Sequence, residues 1–381
     1  MIGRRRPSGP GDVLPPTSPA PRIPLPISDA TDSSDGCYES ALSDLEHAIT
    51  PTDRFFVRSH FPVPRIDSAN WVLSIEGEVE HPSAIRYAEL TAMPQKEITS
   101  VLECAGNSRR FARPRTEGVP WGNGAVGNAR WKGVPLADLL RSAQVRTGAT
   151  EVLLEGADRG NEPGVPGEVN FQMSIPIRTA LHPDTLLAVE MNGQPLTPSH
   201  GFPVRVLVPD WYGMASVKWL TRLEVLDRPF EGYFRKRAYA FIYEGEGLET
   251  PKPPVTFLLV KSLITSPSAG RHHIPEPLLV GGVAWSGSGA IQRVEVSVGP
   301  PGPTDDPLWL DAKLYPGGSA HDWTHWELAF PVDRPGFYLI RSRAIDVQGH
   351  VQPNEPRWNY RGVGMNPVDT VPIEICPPAS L

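Results

Sequence analysis

The chain has 381 residues and a formal net charge of −7, from 36 basic against 43 acidic side chains, with 40% of residues hydrophobic and 21% charged. That length allows two domains with real cores, and the lack of a basic block excludes a nucleic-acid footprint. An anionic ligand would need a local cluster of arginines acting against an unhelpful global field.

Arg4, Arg5 and Arg6 open the chain, but eight prolines follow between Pro7 and Pro26, where an export signal needs an apolar stretch. We therefore expect residues 1–36 to form a disordered proline-rich tail, with no membrane span and a cytoplasmic location. Leu42, Leu45 and Ala48 share one face at helical spacing, which predicts a helix over 38–48. Next, 71–75 reads as a strand, 135–140 as the first turns of a helix, and 204–208 as a strand closed by Pro209. Pro251, Pro253 and Pro254 mark a linker, after which helical periodicity disappears. Strand-like runs at 294–298, 326–330 and 337–345, separated by turn signals such as Gly-Pro-Pro-Gly-Pro at 299–303, predict a β-sandwich. The chain then divides into a tail at 1–36, a mixed α+β domain at 37–250 and an all-β immunoglobulin-like sandwich at 251–381.

The three cysteines, Cys37, Cys104 and Cys376, are far apart and include no CxxC pair, so neither a zinc ribbon nor a disulfide framework is expected. A Cys37–Cys376 bridge between the chain ends is left open, and a reducing compartment fits best. Cys104 stands between the apolar Val101-Leu102 and a small-residue turn that leads to Arg109 and Arg110. Guanidinium charge favours a thiolate, the form that binds soft metals or attacks electrophiles. The glycines at 122–127 lack the Lys-Ser/Thr of a phosphate loop, and His272-His273 are adjacent rather than four apart, so neither is a site.

Six segments in order resemble the sulfite oxidase family. They are Phe55-Phe56-Val57-Arg58-Ser59-His60, the Cys104 segment, Gly127-Asn128-Ala129-Arg130-Trp131, Met191-Asn192-Gly193-Gln194-Pro195, Ser199-His200-Gly201-Phe202-Pro203-Val204-Arg205 running on to Ser216-Val217-Lys218-Trp219, and Trp358-Asn359-Tyr360-Arg361-Gly362-Val363. The resemblance spans roughly residues 50 to 375. It implies a molybdenum ion held by molybdopterin and one protein thiolate, for which Cys104 matches the family's ligand. It also implies that Arg58, Arg109 and Arg361 hold a small oxyanion, sulfite, through charge-assisted hydrogen bonds. Tyr239 matches an active-site tyrosine beside the metal's oxygen ligands, and Trp121 a wall of the pocket. His60, Ser174, His200, Arg205 and Lys218 match positions that contact the pterin and its phosphate. Ala238 departs from the acidic residue often found beside the family's tyrosine.

The resemblance further implies a homodimer formed through the second domain. Nothing in the chain resembles the haem domain of vertebrate members, so electrons are expected to pass to oxygen or to a separate acceptor. Two rivals are a relative acting on nitrate or a bound sulfur compound, and a cofactor-free binding scaffold. Arg361 speaks against nitrate, and retention of Cys104 with Arg58, Arg109, Tyr239 and Arg361 speaks against a scaffold.

Overall fold

The computed structural model describes residues 23–24, 36–246, 252–272, 277–301, 307–332 and 334–376. The tail expected at 1–36 lies outside them except for Gly36 and Ile23–Pro24, which pairs antiparallel with Tyr38–Glu39. The first region is built on two five-stranded sheets. One runs in the order Gln194–Pro195, Leu186–Met191, Val126–Pro135, Lys96–Glu103, with Arg205–Leu207 also paired to Leu186–Met191. The other runs Ser83–Arg86, Val72–Gly77, Leu220–Leu226, Glu151–Asn161, Glu168–Pro176. Val72–Gly77 and Leu220–Leu226 are parallel, and the other pairs of that sheet are antiparallel.

Local patterning explains these elements. In Val72–Gly77, Leu73 and Ile75 are buried while Val72 is exposed, the alternation of a half-buried strand. Leu136–Ala143 buries Leu136, Leu139, Leu140 and Ala143, spaced as one helical face, and ends where Gln144 turns left-handed at φ 53°. The helix expected over 38–48 is not formed. Tyr38 is instead drawn into an antiparallel bridge with Val57, and only a 3₁₀ turn, Leu42–Glu46, follows. Leu45 is buried but Ala48 is exposed, so the apparent periodicity covered too few residues to make a buried face.

The second region is a sandwich. A four-stranded sheet, Lys261–Ser266, Leu278–Trp285, Thr324–Phe330, Lys313–Pro316, lies against a five-stranded one, Gly270–His272, Asp369–Ile375, Gly336–Asp346, Ile291–Gly299, Leu310–Asp311. Their inner residues, among them Val280, Val294, Val296, Trp326, Ile340 and Ile373, form one core. The strands expected at 294–298, 326–330 and 337–345 all lie within it. The three cysteines are free, so the Cys37–Cys376 bridge is not made. Among the described residues no helix is long and apolar enough to cross a membrane.

Candidate active site

The strand Lys96–Glu103 delivers Cys104 to the junction of two cavities. At its end the chain turns tightly, with Asn107 N–H donating to the Cys104 carbonyl at 2.9 Å. Ser108 then takes a left-handed φ of 67° before the 3₁₀ turn Arg109–Phe111. One cavity is lined by Phe55, Phe171, Asp158, His200, Arg205, Lys218 and others. The second is lined by Arg109, Glu117, Trp121, Glu162, Tyr233 and Arg361 among others. Arg58, His60, Cys104 and Tyr239 line both.

The first cavity is rich in buried cations that make no close ion pair with a carboxylate among the described residues. Arg205 is 4% exposed and donates to the carbonyls of His200 at 3.2 Å and Ser216 at 2.9 Å. Burial brings its pKa down to about 9. Lys218 donates to Ser59 Oγ at 3.0 Å and the Ser199 carbonyl at 2.9 Å, and its ammonium lies 4.1 Å from the Trp219 ring. Burial, then Arg205, push its pKa down. Asp158 faces the same cavity, buried, with Oδ1 lacking any hydrogen-bond partner and its pKa pushed up by burial. A buried orphan acceptor beside buried cations fits a ligand that carries both N–H groups and a phosphate, as a pterin phosphate does.

The second cavity is an arginine funnel. Arg109 donates through Nε to the Arg361 carbonyl at 2.9 Å and through Nη1 to the Val119 carbonyl at 3.1 Å. Its guanidinium fits because Gly106 and Gly118 carry no side chains; a Cβ on them would come within 2.7 and 2.9 Å of it. Arg58 donates to the Ser59 carbonyl, approaches Cys37 Sγ at 3.8 Å and reaches His60 Nε2 at 3.4 Å. Tyr239 Oη also reaches His60 Nε2, at 3.1 Å. Since guanidinium only donates, Nε2 is the accepting nitrogen, and burial, Arg58 and Lys218 hold the ring neutral. Burial pushes the Tyr239 hydroxyl up, so it keeps its proton. Trp121 is fully buried and its ring meets Phe56 edge-on at 6.4 Å.

Cys104 itself departs from the sequence-based expectation. Burial pushes its thiol pKa up, and Arg109, the Gly106 N–H and Arg58 offset that only in part. A metal binding there must therefore displace a proton. Among the described residues none of Arg58, Arg109, Arg205, Lys218 and Arg361 forms an ion pair with a carboxylate.

Two family models match the chain in tandem: an oxidoreductase molybdopterin-binding domain over residues 60–234 and a Mo-co oxidoreductase dimerisation domain over residues 253–376. Sulfite oxidase of Gallus gallus is 37% identical over 84% of this chain and 71% of its own length. The chain belongs to the sulfite oxidase family. Mitochondrial sulfite oxidase of Homo sapiens is 36% identical, over 87% of this chain and 63% of its own length. Nitrate reductase [NADH] 1 of Arabidopsis thaliana is 32% identical, over 89% of this chain and 40% of its own. The chain thus spans between two fifths and about seven tenths of these relatives. The crystal structure of the sulfane dehydrogenase SoxCD from Paracoccus pantotrophus superposes with a TM-score of 0.78 at 26% identity, covering 95% of this chain and 92% of that one.

Ten of the eleven residues singled out from the sequence on the strength of sulfite oxidase family motifs line one or both cavities. Ser174 does not. It sits inside the strand Glu168–Pro176 opposite Leu153, fully buried and with its hydroxyl unpartnered, while Phe171 is the residue of that strand that reaches the cavity. Ser59, Ser199 and Ser216 are the serines at the cavity wall. Sequence reasoning missed Asp158. A signal was there: Val152, Leu154, Gly156 and Asp158 alternate as one buried face, and an acidic residue at an inward position calls for a partner. Cys37, buried against Arg58, was also missed and has no such signal.

Proposed function

We propose that this chain is a molybdenum-dependent oxidoreductase that converts sulfite to sulfate, with Cys104 as the protein thiolate on the metal of molybdopterin. The observation that carries it is the five cations, without carboxylate ion pairs, arranged around two cavities that share Cys104. Overall, sulfite and water give sulfate, two protons and two electrons. When bound, the cofactor would supply the two-electron acceptor and the route for the transferred oxygen.

The residues divide the remaining work. Arg205, Lys218 and His200 would hold the pterin phosphate, and Asp158 would accept from the pterin's N–H groups. Arg58, Arg109 and Arg361 would orient the anion, since planar guanidinium forks match paired oxygens. Backbone carbonyls tether the Arg58 and Arg109 forks before substrate arrives. His60, kept neutral, accepts from Tyr239 and so fixes the hydroxyl where the two cavities meet. Trp121 and Phe56 exclude water from one wall. Electrons would leave to oxygen or a separate acceptor. The second domain would join two copies, a reading supported by its match to the dimerisation model and by the exposed Leu279 and Phe337.

A second reading is favoured by one feature. Glu117 and Glu162 also line the funnel, and carboxylates there suit a substrate with less charge than a free oxyanion, such as a bound sulfur compound. Metal content and sulfite-dependent dye reduction, measured on wild type and Cys104→Ser, decide the matter. About one molybdenum per chain, with sulfite activity abolished by the substitution, supports the proposal. Metal without sulfite activity moves the substrate to a bound sulfur or to nitrate. Absence of molybdenum from protein made in a cofactor-producing host leaves a scaffold.

A further inference from the structure

The deepest ion pair among the described residues lies one position from Cys104. Lys261, the first residue of the strand Lys261–Ser266 in the second domain, meets Glu103, the last residue of the strand that delivers Cys104. Their Nζ–Oε1 distance is 3.0 Å, and their side chains are 1% and 2% exposed. Removing an ion pair of this kind from water is costly unless every donor and acceptor is matched. Here the matching is complete for the ammonium. Lys261 also donates to Ser108 Oγ at 2.8 Å and to the Met365 carbonyl at 3.1 Å.

Glu103 in turn accepts from Asn107 Nδ2 and from Trp285 Nε1, each at 2.9 Å, and Trp285 belongs to the second domain. Ser108 Oγ–H in turn donates to Asn123 Oδ1 at 2.6 Å, and Asn123 Nδ2 donates to Asp369 of the second domain at 3.1 Å. Gly364 N–H caps the Ala105 carbonyl at 2.8 Å.

The pattern is specific. The two residues that Lys261 grips, Glu103 and Ser108, bracket the turn 104–107, and Arg109 follows directly. A cation that merely joined two domains would have no need to hold both ends of one turn. We propose that Lys261 is a positioning residue: acting through Glu103 and Ser108, it fixes where Cys104 Sγ and the Arg109 guanidinium stand, so that the second domain sets the geometry of the thiol. Its importance for a metal rests on the reading of Cys104 given above; the grip itself does not.

The test uses full-length protein made in a host that cannot synthesise the cofactor. Alkylation of Cys104 by iodoacetamide is followed by peptide mass spectrometry, with Cys376 as internal reference. Lys261→Met strands a buried carboxylate and is liable to misfold, so the informative variant is the double substitution Lys261→Met with Glu103→Gln, which removes both charges and keeps the volume. His321→Ala is the control, because it cuts interdomain side-chain contacts to Asp184 and Asp210, none of which involves Glu103, Ser108 or the turn between them.

The expected result is a folded double variant, by circular dichroism, whose Cys104 reacts at least tenfold faster than wild type while Cys376 is unchanged and His321→Ala matches wild type. A wild-type Cys104 rate in the folded double variant overturns the proposal, as does an equal acceleration in His321→Ala, which would mean general loosening. Loaded protein adds a separate readout: if wild type retains no molybdenum, the metal reading fails while the alkylation result still judges the grip.

Discussion

Arg205 and Asp158 show how individual residues mark this site. A buried guanidinium whose hydrogen bonds all go to carbonyls, and a buried carboxylate with an orphan oxygen, are each unfavourable alone. Both become reasonable around a ligand carrying phosphate and N–H groups. Asp158→Ala is therefore expected to lower the molybdopterin retained after gel filtration while leaving the melting temperature of the cofactor-free chain near wild type. If Arg361 holds the anion as proposed, replacing it by Met costs a charged hydrogen bond worth ~1.5–3 kcal/mol. That corresponds to a fall in kcat/KM for sulfite of roughly 10- to 150-fold, carried mainly by KM. Gly106→Ala acts on the same anion indirectly. The new Cβ would stand 2.7 Å from the Arg109 guanidinium, so steady-state kinetics should show a raised KM without loss of fold. The arginines were legible in the sequence because motif and charge coincide at them. Ser174 was misplaced because a hydroxyl carries no pattern that says which way its strand faces.

Elements were legible where burial alternates or repeats at helical spacing, as in Val72–Gly77 and Leu136–Ala143. They were not legible where a distant partner decides. The segment after Gly36 has a helix-like pattern, yet Tyr38 pairs with Val57, and Glu39 accepts from Gly122 N–H at 2.8 Å. Those contacts are worth more than an isolated helix of three turns. Gly133 is another such case. It sits where Val126–Pro135 shifts register against Leu186–Met191, and a Cβ there would lie 2.1 Å from the Leu187 carbonyl oxygen. Gly133→Ala should destabilise the first region by ~1–3 kcal/mol, the usual cost of overpacking, visible as a lower urea midpoint.

At the scale of the whole molecule the two regions are tied by polar contacts that neither could make alone. His321 of the second region lies between Asp210, at 2.9 Å, and Asp184, at 3.1 Å, both in the first. Burial opposes its charge, but hydrogen bonds and charges from Asp210 and then Asp184 outweigh that and raise its pKa above 6.5. The stability His321 contributes is thus fully present below its unfolded pKa and is lost as pH rises through the raised folded value. Asp184 behaves oppositely. Burial is outweighed by Lys96 and His321, its pKa is lowered below 3.8, and its contribution is lost as pH falls through that lowered value. Thermal melts across pH should show the wild type losing stability above pH 6.5, and His321→Gln should flatten that slope. An unchanged slope would mean the imidazolium bridge adds nothing.

By itself the sequence determined the two-part plan, the short-stranded character of the second part and the run of motifs around Cys104. Each depends on residues close in the chain, where spacing and local chemistry suffice. Only the tertiary structure decided that burial outweighs the arginines at the Cys104 thiol, that Asp158 faces a cavity with no partner, and that Lys261 holds the turn from another domain. Those outcomes depend on how much water is excluded and on which distant atoms arrive, and neither quantity is written in local sequence.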